Sequence, residues 1–375
     1  MSVAERLRRS LRAEDTAARF GGDEFTILLE DVRDASDALR VADQVTRALA
    51  APFILEPREV FVTTSIGIAL GTSGHERPTD ILRNADVALY RAKASGKAAY
   101  EVFDPFMNIA ALERLDLEAD LRRAVEQGEF AVHYQPQLEL STGRIAGWEA
   151  LVRWMHPGRG PIPPAAFLSV AEETGLIFQI GSLVLQEACR QAKGWQEQLP
   201  TDVPVKMSVN ISARQLQRPD DLLNKLIAIL EESKLDPGSL VLEITESMLM
   251  GDAEQNVDVL RSLKGLGVGI AVDDFGTGYS NLAYLKRFPV DWLKVDKSFV
   301  DGLGENPEDT AIVEAVVSLA RAMGMQTVAE GIESTRQADL LRVLGCEMGQ
   351  GYYFSEPLPA HEANALLSTS PSLRD

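Results

Sequence analysis

Only two cysteines occur in the 375 residues, Cys189 and Cys346, 157 positions apart and without a partner at metal-ligand spacing. That excludes a disulfide framework and a zinc site of the paired-cysteine kind, and fits a reducing, cytoplasmic setting. No run of 18 apolar residues exists, so this chain offers no membrane-spanning helix and no membrane contact of its own is expected. Arg6, Arg8 and Arg9 stand near the N-terminus without the apolar stretch and cleavage site of a secretory leader. Positive charge is also short, at 37 Lys and Arg against 56 Asp and Glu, a formal net of -19. A protein that grips long nucleic acid normally presents a basic surface, so that class is excluded, whereas a small phosphate-bearing ligand is not. The deficit is uneven: residues 1–110 hold 14 basic against 17 acidic side chains, and the remaining 265 hold 23 against 39. What is present, 45% apolar residues with 28 Gly and 18 Pro, suffices for a large core and for two domains.

The texture changes near residue 105. Before it, 6–13 reads as a helix, 24–29 as a strand, 35–49 as an amphipathic helix, 60–69 as a strand and 79–94 as a helix. These make a short α/β segment with few strands to build a sheet from. Residues 112–126 read as a linker or lead-in helix. From residue 130 a new rhythm begins, in which mostly apolar β-like runs end in polar residues and helix-length segments follow. The runs are 144–149, 205–210, 240–243, 268–273, 292–296, 325–330 and 347–352, and the helices 180–196, 220–232, 253–266, 309–322 and 336–344. Near-continuous apolar strands alternating with helices predict a mostly parallel sheet. A stretch of about 250 residues of this kind matches one closed (β/α)8 TIM-like barrel better than an open sheet. Gly265, Gly267 and Gly269 do not sit between a strand and an opening helix, so no dinucleotide fingerprint is present.

The ends of the runs carry the chemistry: Glu149, Asn210, Glu243, Asp273 with Asp274, Lys294, Glu330 and Gln350, at successive intervals of 61, 33, 30, 21, 36 and 20 residues from Glu149 through Asp273 to Gln350. In a barrel such strand ends share one rim, where active sites sit. A single acid after a strand is more often a helix cap or a surface group; its repetition around the rim is what points to a metal site. Carboxylates with an amide oxygen form a hard oxygen-donor set suited to Mg²⁺ or Mn²⁺. Two such ions about 3.5–4 Å apart can clamp a phosphodiester and activate a water. A lysine among the acids stays protonated and can steady developing charge. The spacing alone leaves a carboxylate-metal lyase or isomerase open.

On its motifs the chain resembles the EAL-domain cyclic di-GMP phosphodiesterases. Glu149-Ala150-Leu151 is the signature, and with it stand Tyr134-Gln135-Pro136, Arg153-Trp154, Ser208-Val209-Asn210-Ile211-Ser212, Glu243-Ile244-Thr245-Glu246, Asp273-Asp274-Phe275-Gly276-Thr277-Gly278-Tyr279-Ser280, Lys294-Val295-Asp296, Ala329-Glu330-Gly331-Ile332-Glu333 and Gln350-Gly351-Tyr352. The resemblance implies hydrolysis of cyclic di-GMP to linear pGpG. It makes Glu149, Asn210, Glu243 and Asp273 metal ligands, with Asp274 and Glu330 completing a two-ion site. It gives Lys294 a water-positioning role, Gln350 a supporting role, and Gln135 and Arg153 contacts to the guanine-phosphate substrate. It further implies a homodimer and a switch loop over 274–280, held by Glu246 and Glu333. Asn281 departs from the serine or alanine of many members, a small polar change that leaves activity expected.

The first segment resembles a diguanylate cyclase (GGDEF) domain. Arg19-Phe20-Gly21-Gly22-Asp23-Glu24-Phe25 is similar to its signature hairpin; Ser65 to Ala69, Ala85 to Lys93, and Gly96-Lys97 are similar to later elements. Arg12-Ala13-Glu14-Asp15 matches the family's RxxD product-binding inhibitory site; Arg12 and Asp15 alone would otherwise read as a surface ion pair on a helix. The resemblance implies a front part, with a metal-binding aspartate and guanine-reading groups, that these residues do not contain. The segment is therefore expected to be inactive as a cyclase, and the chain to be a shortened form of a longer signalling protein, tethered to a membrane only if such an upstream region supplies an anchor. The expected organisation is a partial GGDEF-like domain at 1–104, a linker at 105–112, the barrel with its lead-in helix at 113–365 and a flexible tail at 366–375. The rival function is a non-catalytic cyclic di-GMP receptor or scaffold.

Overall fold

From residue 130 onward the alternating apolar runs close into a ring. The computed structural model describes residues 3–55, 58–71, 77–94, 99–104, 106–198, 205–251, 253–277 and 282–369, and the chain divides into two compact units, Met1–Asp116 and Leu117–Asp375.

In the first unit the strands are short: β1 (Thr16–Gly21), β2 (Glu24–Leu28), β3 (Phe53–Leu55), β4 (Arg58–Val60), β5 (Ile66–Ile68) and β6 (Tyr100–Val102). They pair as three separate two-stranded sheets, β1 with β2 and β3 with β4 antiparallel, β5 with β6 parallel. Helix Ala35–Ala50 begins at Asp34, whose carboxylate accepts from the N–H groups of Ser36 and Asp37, satisfying donors that a helix start leaves free. Its inner face sends Val45 and Leu49 to a small core with Leu7 and Phe53. Helix Pro78–Ala94 lies so close on β5 that a Cβ on Gly67 would fall 2.1 Å from the Ala85 carbonyl oxygen; only glycine fits there. The helical reading of 6–13 becomes Val3–Arg9, so Arg12 and Asp15 lie in the turn after the helix rather than on it.

Helix Phe106–Gln127, which enters the second unit at Leu117, runs through residues 106–112 of the expected linker. Leu121 and Ala124 are buried in the barrel core, and Asp120 faces His156 Nε2 at 3.4 Å and Arg159 at 3.3 Å. The barrel strands are β7 (Phe130–Glu139), β8 (Ile145–His156), β10 (Lys206–Asn210), β11 (Leu240–Thr245), β12 (Gly269–Phe275), β13 (Trp292–Val295), β14 (Gln326–Ala329) and β15 (Met348–Gly349), with β9 (Gly160–Ile162) and β16 (Leu358–Pro359) as side strands. Neighbour pairing runs β7-β8-β10-β11-β12-β13-β14-β15 and back to β7, a closed mixed barrel of eight strands. It is a TIM-like (β/α)8 fold with one departure. β7 is antiparallel to both of its neighbours, and it was not among the runs read from the sequence.

Alternation sorts the strands' two faces. Tyr134 and Trp148 point outward onto Trp195 of helix Ile177–Gln198, with ring centroids 5.2 and 5.1 Å away. Residues one step along, Gln135 and Glu149, therefore point inward. Helix Ala360–Thr369 continues into the expected tail, whose residues 370–375 lie outside the described ones. Among the described residues no helix is long and apolar enough to cross a membrane.

Candidate metal centre

Lys294 is the hub. It sits on β13 with 1% of its surface exposed, and its ammonium reaches Glu243 at 2.6 Å, Glu330 at 2.5 Å, Asp273 at 3.2 Å and Glu149 at 3.7 Å. Those five side chains come from β8, β11, β12, β13 and the residue after β14, so closure of the barrel is what assembles them. Glu149 does not end its strand, as the sequence suggests. β8 continues to His156 because it also pairs with β7 and β9, and Glu149 faces inward from mid-strand.

One ammonium cannot neutralise four acids in a dry interior. Burial pushes Glu330 up to about 8, helped by Asp273 and Glu149 and opposed by Lys294. Glu243 is pushed well above the usual carboxylate range, by burial first and by Glu149 second. Burial also works against Glu149, but Lys294 and hydrogen bonds from Gln350 and Asn210 bring it net downward. Burial works against the charged lysine too, yet the acids together hold Lys294 well above its ordinary value. The centre thus favours the charged forms of Lys294 and Glu149 and crowds Glu243 and Glu330 against them, acids whose charged forms burial opposes.

Adjacent residues of a strand normally point to opposite faces, yet Asp273 and Asp274 both serve this centre. The pairing of β12 with β13 slips between Val272 and Phe275, a bulge, and Asp274 takes the left-handed backbone at φ 53°. The bulge re-aims the second carboxylate. Ligand oxygens of Asp273, Asp274 and Glu330 then lie within 4.8 Å of one another, and no other group of three or more such side chains forms among the described residues. The donor set is oxygen only, which suits a hard divalent cation. Asp274 is itself pushed up, by burial first and then by Asp273 and Asp296.

Asn210 and Glu243 are partners across β10 and β11. The expected amide oxygen of Asn210 is turned away, because its Nδ2 donates to Glu149 Oε1 at 2.7 Å; presenting the oxygen to a cation takes a half-turn of the amide. Gln350 donates to Glu149 Oε2 at 2.6 Å and to Gln135 Oε1 at 2.8 Å, and Gln135 donates to the Ser355 carbonyl at 3.0 Å. Arg153 is half-buried at the same mouth, donates to the Val152 carbonyl at 2.9 Å and senses the charges of Tyr352 and Glu149. Glu246 accepts from the Gly276 N–H at 3.0 Å, whereas Glu333 accepts from Lys297 at 2.5 Å. Of the loop 274–280, Gly278, Tyr279 and Ser280 lie outside the described residues, as do Asn281, Gly96 and Lys97.

Gln137, which the motif reading passes over, is buried and donates to Gln350 Oε1 at 3.0 Å. Its signal is the alternation His133, Gln135, Gln137, a polar side chain at every second position. In the first unit, Asp15 accepts from the Arg12 main-chain N–H at 2.9 Å. Asp23 and Glu24 stand exposed on the β1–β2 hairpin.

Residues 118–357 match the EAL domain and residues 1–99 the diguanylate cyclase GGDEF domain. Over 362 residues the chain is 43% identical to the bifunctional diguanylate cyclase/cyclic di-GMP phosphodiesterase MucR of Pseudomonas aeruginosa, covering 96% of this chain and 52% of that protein. It is 38% identical over 357 residues to the cyclic di-GMP phosphodiesterase NbdA of the same organism, covering 95% and 45%. The solved PaMucR phosphodiesterase in complex with c-di-GMP superposes with a TM-score of 0.64 at 43% identity, over 66% of this chain and 99% of that one. The chain spans about half the length of the curated relatives it matches. It belongs to the EAL-domain family, and a GGDEF-like segment precedes its barrel.

Proposed function

We propose that the barrel hydrolyses one phosphodiester bond of cyclic di-GMP, giving linear 5′-pGpG, with two Mg²⁺ or Mn²⁺ ions. The observation that carries this reading is the oxygen-only trio Asp273, Asp274 and Glu330 beside the buried Lys294 and Glu149. Glu149, Asn210, Glu243 and Asp273, with Asp274 and Glu330, would hold the ions. Such ions, when bound, lower the pKa of a water and stabilise the leaving oxygen. The chain's own residues do the rest. Lys294 keeps its proton, so its N–H groups can orient a water and steady charge on a phosphoryl oxygen. Glu149 is held in one orientation by Asn210 and Gln350. Gln135 and Arg153, at the same mouth, would engage the guanine and phosphate.

No cyclase chemistry is assigned to the first unit, because no further carboxylate gathers around Asp23 and Glu24 among the described residues. The reading includes a cytoplasmic homodimer, to be checked by light scattering and fractionation. The function itself is tested by incubating purified protein with cyclic di-GMP and Mg²⁺ or Mn²⁺ and identifying the product. Formation of pGpG is expected, and tight binding without pGpG would make the chain a receptor instead. Ca²⁺ is expected to inhibit, since its larger radius and looser geometry fit a tight two-ion site poorly. Full turnover in Ca²⁺ alone would count against the two-ion geometry.

A further inference from the structure

We propose that Gln137 is a positioning residue: by donating to Gln350 it fixes which end of the Gln350 amide faces Glu149, and so holds Glu149 for the metal centre. The inference rests on the function proposed above.

The argument is one of hydrogen-bond direction. An ionised carboxylate and a main-chain carbonyl only accept, whereas a side-chain amide has one donating and one accepting end. Glu149 Oε2 lies 2.6 Å from Gln350, so Gln350 must turn its NH₂ toward it. That NH₂ also serves Gln135 Oε1 at 2.8 Å, and Gln135 must in turn aim its own NH₂ at the Ser355 carbonyl, 3.0 Å away. The accepting end of Gln350 is thereby turned inward, where it is buried and needs a donor. Gln137 Nε2, at 3.0 Å, is that donor. Without it, either orientation of the Gln350 amide leaves a buried group unmatched, and the preference for the one that grips Glu149 weakens.

Gln137 is itself held in place. A Cβ on Gly147, its partner across β7 and β8, would fall 3.0 Å from Gln137 Oε1 and 3.2 Å from the Lys206 carbonyl oxygen. The glycine leaves the space in which the Gln137 side chain lies. Gln137 lines the same small cavity as Glu243 and Lys294, and its side chain reaches the site through its hydrogen bond to Gln350.

The test is a double-mutant cycle on the full chain, with Gln137→Leu, Gln350→Ala and the double variant, plus Gln137→Glu. Two readouts are taken: kcat/KM for cyclic di-GMP, and Mn²⁺ affinity of the substrate-free protein from the free-ion paramagnetic resonance signal. Supporting partners of metal ligands typically carry about 10–100-fold, so Gln137→Leu is expected to weaken both readouts about tenfold. In the Gln350→Ala background the same change should cost less than about twofold. Gln137→Glu should be worse than Gln137→Leu, because a carboxylate facing Gln350 Oε1 favours the wrong amide orientation; a packing role predicts the reverse, glutamate being closer in shape. Equal losses in both backgrounds, a milder glutamate variant, or wild-type values in Gln137→Leu would each overturn the assignment. Gln137→Met carries the same expectation and keeps the cycle readable if the leucine variant misfolds. A wild-type chain that makes no pGpG overturns the proposed function, while the Mn²⁺ cycle still decides the role of Gln137.

Discussion

In the barrel unit three of the gathered acids, Glu243, Asp274 and Glu330, are held above their ordinary range by burial, with Glu149, despite its burial, brought below it by Lys294, whereas in the first unit the perturbed acids are on the surface and held below their ordinary range. Glu330, pushed up to about 8 by burial, is the clearest case of the first kind. Asp37, drawn down to about 2 by the hydrogen bond from Arg33, is the clearest of the second. Closure explains the difference. A ring of eight strands has no free edge and encloses a water-poor interior, where acids from four segments, β8, β11, β12 and the residue after β14, repel one another. Two-stranded sheets keep open edges and close no ring; Phe20 and Phe61 remain 74% and 71% exposed, and the charges there pair along helix surfaces in water. Buried, mutually repelling acids are what metal chemistry needs, and among the described residues they gather in the barrel unit.

The largest expected effect breaks the site on one side of this comparison and leaves the other untouched. Glu149→Ala should abolish pGpG formation, at least about a thousandfold, since ion-based charge stabilisation is worth several kcal/mol. Asp23→Ala and Glu24→Ala in the first unit should leave hydrolysis within twofold of wild type. A partial loss for Glu149→Ala would mean that it positions substrate rather than a cation. Next comes stability. Lys294→Met leaves the surrounding acids without the ammonium that pairs with them, and at neutral pH in chelator should cost about 3–5 kcal/mol, the range for breaking a buried pair. Added Mn²⁺ should recover part of it, because the ion replaces the missing positive charge; calorimetric melting with and without Mn²⁺ reads both.

The pH dependence should also split by unit. An acid whose folded pKa is raised binds more protons folded than unfolded between the two values. For Glu330, whose ordinary value is 4.5 and whose folded value is about 8, stability is therefore present at low pH and lost as pH rises through that window. The slope is on the order of 1 kcal/mol per pH unit. Metal-free protein should melt at progressively lower temperature from pH 5 to pH 8, and Mg²⁺ or Mn²⁺ should flatten the trend. A metal-free melting temperature that rises over this range would contradict the burial of surplus acids.

How much of this was legible in sequence follows from the same contrast. Parallel strands announce themselves as apolar runs, and seven of the barrel's eight were readable. The eighth, β7, carries His133, Gln135, Gln137 and Pro136 in a central position, a composition that argues against a strand, and its antiparallel course lacks the crossover helix that marks the others. The site acids were legible because each follows or interrupts an apolar run. The Asp273–Asp274 bulge was not, since a left-handed aspartate depends on the register against β13 rather than on neighbours in the chain. Nor was the amide sense of Asn210, which Glu149 sets from 61 positions away. In the first unit helix Ala35–Ala50 was readable from its periodicity, but the long strand expected over 60–69 was not borne out: β4 ends at Val60 and β5 holds only Ile66–Ile68. Strand length depends on partners, and each of these has one.

The smallest expected effect lies on the acid side of the first unit. Asp37 accepts from the Arg33 guanidinium at 3.0 and 3.1 Å and from the Arg33 main-chain N–H at 3.2 Å. These bonds favour the carboxylate, so its contribution is complete above the ordinary value of 3.8 and fades as pH falls toward about 2. The pair is open to water, which screens it, so only a slight loosening of helix Ala35–Ala50 is expected below pH 4. Amide protection in that helix, taken as the intrinsic exchange rate at each pH divided by the observed one, should fall on acidification in the wild type and less so in Asp37→Asn, which removes the titrating group. Protection in β11 and β14 should not follow the same acid limb, because Glu243 on β11 and Glu330 just after β14 gain protons at higher pH. If helix Ala35–Ala50 and the barrel strands lost protection together with one acid midpoint, the two units would share a single cooperative transition, and their opposite treatment of charge would no longer separate them.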